Sequence, residues 1–204
     1  MKTLTKYCGR KAAGVLFLAW GLSFAAQGGE KTAFDLVKEG NRFVGEQAKD
    51  KIVQVRSDKS VGSLTPTVWY VVYYDNTATL KAVEVKFGAG EMLKVKRPMR
   101  LLEPVTGGDE ALDRAKLKID SDEAAKIALK EPLLQNLKVT ATQLKLERVR
   151  ETVLGESGGQ AAWKVKLWAA KLRNPNRDAD IGEVWVAASD GKVVKNDLHI
   201  DRVD

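Results

Sequence analysis

His199 is the single histidine in the 204-residue chain, so any imidazole base or histidine-bound metal would have to use it. It lies between Leu198 and Ile200 in an alternating stretch and reads as an ordinary strand residue. A second candidate is Asn174-Pro175-Asn176-Arg177-Asp178-Ala179-Asp180, which places oxygen ligands at alternate positions like the start of a calcium loop. Counted from Asn176, the sixth position needs glycine and holds Ile181; the twelfth needs glutamate and holds Ala187. The EF-hand pattern therefore fails, leaving a solvated hairpin loop or a weaker surface calcium site. There is no phosphate loop, zinc spacing or nucleophile elbow. Gly107-Gly108 lacks nucleotide-loop spacing and reads as a hinge. Paired carboxylates for hydrolysis are diagnosed only by their separation in space. The residues thus predict no catalytic group, no metal and no cofactor.

The aromatic residues are more informative. In residues 162–172, Trp163, Val165 and Leu167 share one strand face, while Lys164, Lys166 and Trp168 share the other. In the returning strand, Val184, Val186 and Ala188 point one way, Glu183 and Trp185 the other. If the hairpin centres between Asn176 and Arg177, Trp168 lies opposite Trp185. An earlier strand places Tyr70, Val72 and Tyr74 on its corresponding face. Trp168, Trp185, Tyr70, Tyr74, Lys164 and Lys166 form the candidate binding face. The alternative is that these aromatics are buried against the rest of the chain.

The elements that carry them follow from pattern. Thr32 with Asp35 makes a capping-box start, and Phe34, Val37, Val44 and Ala48 give a partial apolar stripe, so a helix is expected over 32–49. Strands are expected over 52–55, 68–74, 82–87 and 92–96, the last two as a hairpin around Gly88-Ala89-Gly90. Pro104 and Gly107-Gly108 mark a join, with a short helix over 109–116. Asp120 and Glu123 start a helix that Pro132 limits. Residues 137–150 alternate with one slip, as in a bulged strand. A hairpin over 162–188 and a strand over 192–200 complete the chain.

Lys2, Lys6, Arg10 and Lys11 precede a nearly unbroken apolar run over 12–26, then Gln-Gly-Gly. About fifteen apolar residues reach roughly 22 Å, short of the ~30 Å hydrocarbon layer. This order predicts a secretory signal peptide over 1–28, with an uncleaved anchor as the alternative. Without it the net charge falls from +7 to +3, and the single cysteine, Cys8, is lost. A charge of +3 does not argue for a nucleic-acid partner, and a chain without cysteine has neither disulfide nor thiol nucleophile.

The order helix–strand–strand–hairpin occurs twice, about 95 residues apart, which suits two small duplicated domains rather than a solenoid. The expected division is a signal peptide over 1–28, unit one over 30–102, a linker over 103–117 and unit two over 118–204. Within unit two, Asp120-Ser121-Asp122-Glu123-Ala124-Ala125-Lys126-Ile127-Ala128-Leu129 opens a helix. Trp163-Lys164-Val165-Lys166-Leu167 forms a strand, and Glu183-Val184-Trp185-Val186-Ala187-Ala188-Ser189-Asp190-Gly191-Lys192-Val193 a late strand and turn. On these residues, 118–200 resembles a PepSY domain; residues 32–101 resemble it by order of elements. The resemblance implies an α+β fold of two PepSY-like units, each a helix packed on an antiparallel β-sheet, in a secreted or periplasmic setting. It carries no catalytic residues. It implies a non-catalytic binding or inhibitory module regulating an envelope or secreted peptidase, without stable membrane insertion. The competing expectations are a carboxylate-dependent hydrolase and a purely structural envelope protein.

Overall fold

The computed structural model describes residues 31–100, 103–149 and 159–203. The expected signal peptide, with Cys8, lies outside the described residues. Helix α1 spans Ala33–Gly40, followed by β1 (Ile52–Ser57), β2 (Val68–Tyr74), β3 (Ala82–Gly88) and β4 (Glu91–Lys96). Helix α2 spans Ser121–Ala128, followed by β5 (Leu137–Arg148), β6 (Ala161–Lys171), β7 (Ala179–Ala187) and β8 (Val193–Leu198). Among the described residues no helix is long and apolar enough to cross a membrane.

The strands form one eight-stranded sheet in the order β4-β3-β2-β1-β5-β6-β7-β8, antiparallel at every pairing. This corrects the expected fold of two helix-on-sheet units. The order of elements does run twice, but the two four-stranded halves are not separate layers. They meet where β1 pairs with β5 through Gln54–Glu147, Val55–Leu146 and Arg56–Lys145. Beyond that short ladder, serine hydroxyls continue it. Leu144 N–H donates to Ser57 Oγ at 2.9 Å, and Thr142 N–H donates to Ser60 Oγ at 2.9 Å. Ser57 and Thr142 are fully buried, so these bonds satisfy backbone groups that water cannot reach.

Both helices lie on one face of the sheet and share a single apolar core. It joins Leu36 and Val37 of α1, Ala124 and Ala128 of α2, and Val55, Val71, Phe87, Leu146, Trp163 and Val184 of the strands. The helix N-termini are tied to each other. Ala33 N–H donates to Ser121 Oγ at 3.0 Å and Phe34 N–H to Asp120 Oδ1 at 3.2 Å. The residues that cap α2 thus also serve the orphan amides of α1. Trp163 sits beneath this junction, its indole N–H on the Ile119 carbonyl at 2.8 Å and its ring 6.2 Å from that of Phe34.

Helix α1 ends far short of residue 49. Gly40 is buried against the Tyr73 hydroxyl, which fills the space a Cβ would need. Asn41 then bonds Asp50 through both its amide donor and its carbonyl, so residues 41–50 fold as turns rather than helix. Residues 103–117 are packed rather than free. Val105 is buried against Val53, Val72 and Ala82 on the helix-free face of the sheet, while Leu112 joins the core on the other. The expected helix over 109–116 is two short 3₁₀ turns.

Candidate functional site

Because α1 and α2 cover one face, the other face of the eight strands is, among the described residues, open except where residues 97–100 and 103–107 cross it. Alternation decides what it displays. Strand β2 contributes Tyr70, Val72 and Tyr74; β6 contributes Lys164, Lys166 and Trp168; β7 contributes Glu183 and Trp185. The six sequence-predicted residues are therefore on one face, but Trp168 and Trp185 are not cross-strand partners. Lys164 stands opposite Trp185, and Trp168 stands opposite Asp180. The register differs because the hairpin turns about Asn174 rather than between Asn176 and Arg177; Ile181 is in addition an extra residue between paired positions, accommodated by Gly182 at φ +102°.

Instead of pairing with each other, the aromatics are bracketed by cations. Tyr70 has the Arg56 guanidinium 4.0 Å from its centroid and Lys86 Nζ at 5.2 Å. Trp185 has Lys164 at 4.2 Å and Lys195 at 5.0 Å; Trp168 has Lys59 at 4.6 Å and Lys166 at 5.3 Å. Such contacts hold long side chains in place over the rings. Trp185 is buried in this arrangement, packed with Val149, Ala162 and Val194, its indole N–H on Glu183 Oε1 at 2.6 Å. Tyr74 instead joins the small cluster under Val105.

Carboxylates tie the cations together. Glu84, 1% exposed, sits between Arg56 Nη2 and Lys96 Nζ, each at 3.0 Å. Glu147 sits between Lys145 at 2.8 Å and Lys164 at 2.7 Å. Burial opposes ionisation of Glu147, yet the hydrogen bonds and charges of those lysines hold its carboxyl below the usual glutamate range. Glu103 behaves alike: burial raises it, and Lys145, Gln54 and Arg100 outweigh that and lower it. Burial works against the Lys145 ammonium, but Glu103 and Glu147 raise its pKa, so it stays charged. A groove of about 600 Å³ opens here, lined by Gln54, Arg100, Glu103, Lys145, Glu147 and Trp185. A second of about 390 Å³ adjoins it beside Arg56, Gln143, Lys166 and Glu183.

Sequence reasoning missed Arg56, Glu84, Lys145 and Glu147. The usable signal was the alternation of polar with apolar residues inside β1, β3 and β5. The former calcium-loop carboxylates are turned to the protein: Asp178 meets Lys59 and Thr140 at 3.1 Å, and Asp180 meets Lys166 at 2.7 Å and the Gly182 amide at 3.0 Å. His199 lies just past β8, exposed, 3.4 Å from Asp197. Among the described residues no three His, Cys, Asp or Glu side chains cluster as metal ligands.

No family model, curated protein or solved structure matches the chain. The PepSY resemblance accordingly rests on the motif residues of 118–200.

Proposed function

We propose that this chain is an exported, non-catalytic protein-binding module whose helix-free sheet face receives its partner. The observation that carries this is the one-sided layering. A sheet of eight strands has its main apolar core, with both helices, on one face, and two small apolar clusters on the other. The other face presents aromatics clamped by cations, interleaved carboxylates and two adjoining grooves. Interfaces that form and dissociate combine aromatic anchors with a polar, charged surround in this way. The PepSY resemblance supports a secreted or envelope peptidase as the partner class, and the order of residues 2–28 supports export.

The test is inhibition with a face-specific control. The purified protein is titrated into the secreted and envelope fractions of its own host, and peptide hydrolysis is followed. Activity should fall with wild type and resist Trp168→Ser/Lys166→Ser. No change in hydrolysis, or an equal effect from the face variant, overturns the reading.

A further inference from the structure

The strand register brings together a row that no single segment of sequence reveals. Reading sideways across the open face, Lys94 pairs with Lys86, Lys86 with Tyr70, and Tyr70 with Arg56. Arg56 pairs with Lys145, Lys145 with Lys164, Lys164 with Trp185, and Trp185 with Lys195. Every one of the eight strands thus places a cation or an aromatic in this row, and none places a carboxylate there. Seven interstrand steps of about 4.8 Å make it roughly 34 Å long. The carboxylates occupy the rows on either side: Glu84 and Glu147 on one, Glu183 and Asp197 on the other. Tyr70 and Trp185 each sit between two cations and position them. Among the described residues Lys86 and Lys94 have no ion-pair partner.

The chain itself supplies an example of what this row accepts. Glu103 lies in the irregular segment that crosses the open face. Its carboxylate takes Lys145 Nζ at 2.6 Å, Arg100 Nη2 at 2.9 Å and Gln54 Nε2 at 3.1 Å, beside the larger groove. A carboxylate on a non-helical, non-strand segment is already seated at the middle of the cationic row.

We infer that the row binds an extended acidic segment of a protein partner, laid across the strands, with its carboxylates on Lys86 and Lys94 and, beside Glu103, on Lys145 and Lys164. This rests on the reading of the open face as a protein-binding surface and adds the chemistry of the partner. Same-side residues of an extended chain recur about every 6.8 Å, so about five of them match the length of the row. The ring faces are already covered by cations, which leaves charge rather than base stacking as the means of recognition.

Fluorescence anisotropy with a labelled peptide of alternating Glu and Ser, about ten residues long, tests this at low and physiological salt. Lys86→Gln/Lys164→Gln should weaken binding roughly threefold to thirtyfold, since exposed charge pairs contribute little each. Lys38→Gln/Lys126→Gln, the same charge change on the helix side, should leave it nearly unaltered. Glu103→Gln should tighten binding, a gain that a misfolded variant would not give. Equal loss from both lysine pairs, no binding at low salt, or tighter binding of an oligothymidylate of equal charge overturns the proposal, the last by assigning the row to nucleic acid. The two readings fail separately. If peptidase inhibition persists in Lys86→Gln/Lys164→Gln, the row is refuted and the binding face stands. If wild type binds the peptide but inhibits no hydrolysis, the row stands without a peptidase partner.

Discussion

At the scale of single residues, the folded state depends on polar groups buried with their partners. Tyr73 is fully buried, and its hydroxyl donates to the Val37 carbonyl at 3.0 Å across the sheet–helix interface. Burial pushes its phenol pKa well up, so it remains a neutral donor. Tyr73→Phe should cost about 0.5–1.5 kcal/mol in urea unfolding, with the Val37 carbonyl left short of a partner. Glu147 predicts a pH effect of definite sign. Its folded pKa lies below the ordinary 4.5, so its contribution is full above that value and disappears as pH falls through the lower folded value. Denaturation midpoints should decline as the solution is acidified below about 4.5, and Glu147→Gln should flatten that decline. A variant whose midpoint still follows wild type through this range would remove Glu147 as its source.

At the scale of elements, the turns and bulges decide what each strand displays. The β3–β4 hairpin closes through Ala89 and Gly90, both at positive φ, the two-residue turn whose twist suits antiparallel strands. Gly182 is more constrained: at φ +102° a Cβ would run into the Asp197 carbonyl of β8. Gly182→Ala should destabilise by more than about 2 kcal/mol, with hydrogen exchange rising first along β7 and β8. In the core, Trp163→Ala should cost about 3–5 kcal/mol, read from thermal or urea melts. Strand positions and faces were legible in the sequence because alternation is a local property. Val68–Tyr74 and the 163/165/167 against 164/166/168 division both read directly. The β6–β7 register was not, since a loop of Asn, Pro and Asp does not fix where the hairpin turns, and the bulge at Ile181 then shifts every later partner by one residue more. The end of α1 was missed because it is set by Tyr73, which approaches Gly40 from another strand. The row across the open face was invisible for the same reason: its six cations and two aromatics come from eight strands.

At the scale of the whole molecule, the two repeats share one sheet and one core. The shared core and the crossed helix caps between Ala33, Phe34, Asp120 and Ser121 leave neither half with its apolar surface satisfied alone. Unfolding followed at Trp69 in the first half and at Trp163 in the second should therefore give coincident transitions; two separated midpoints would argue for independent halves. Nothing local in Ile52–Ser57 or Leu137–Arg148 announces that they pair with each other, which is why the sequence suggests two domains where the chain builds one sheet.

The β1–β5 ladder also has a consequence for chains at high concentration. It joins strands about 90 residues apart through three backbone positions and a few serine hydroxyls. Each four-stranded half therefore carries a complementary edge that the same half of another molecule carries too. The segment that follows β4 and precedes α2 connects those edges. Two chains refolding together can close the same ladder reciprocally, each half completing its neighbour with the ladder and the shared core retained and only that connecting segment re-routed. The midline of the sheet is the natural site of a domain-swapped dimer.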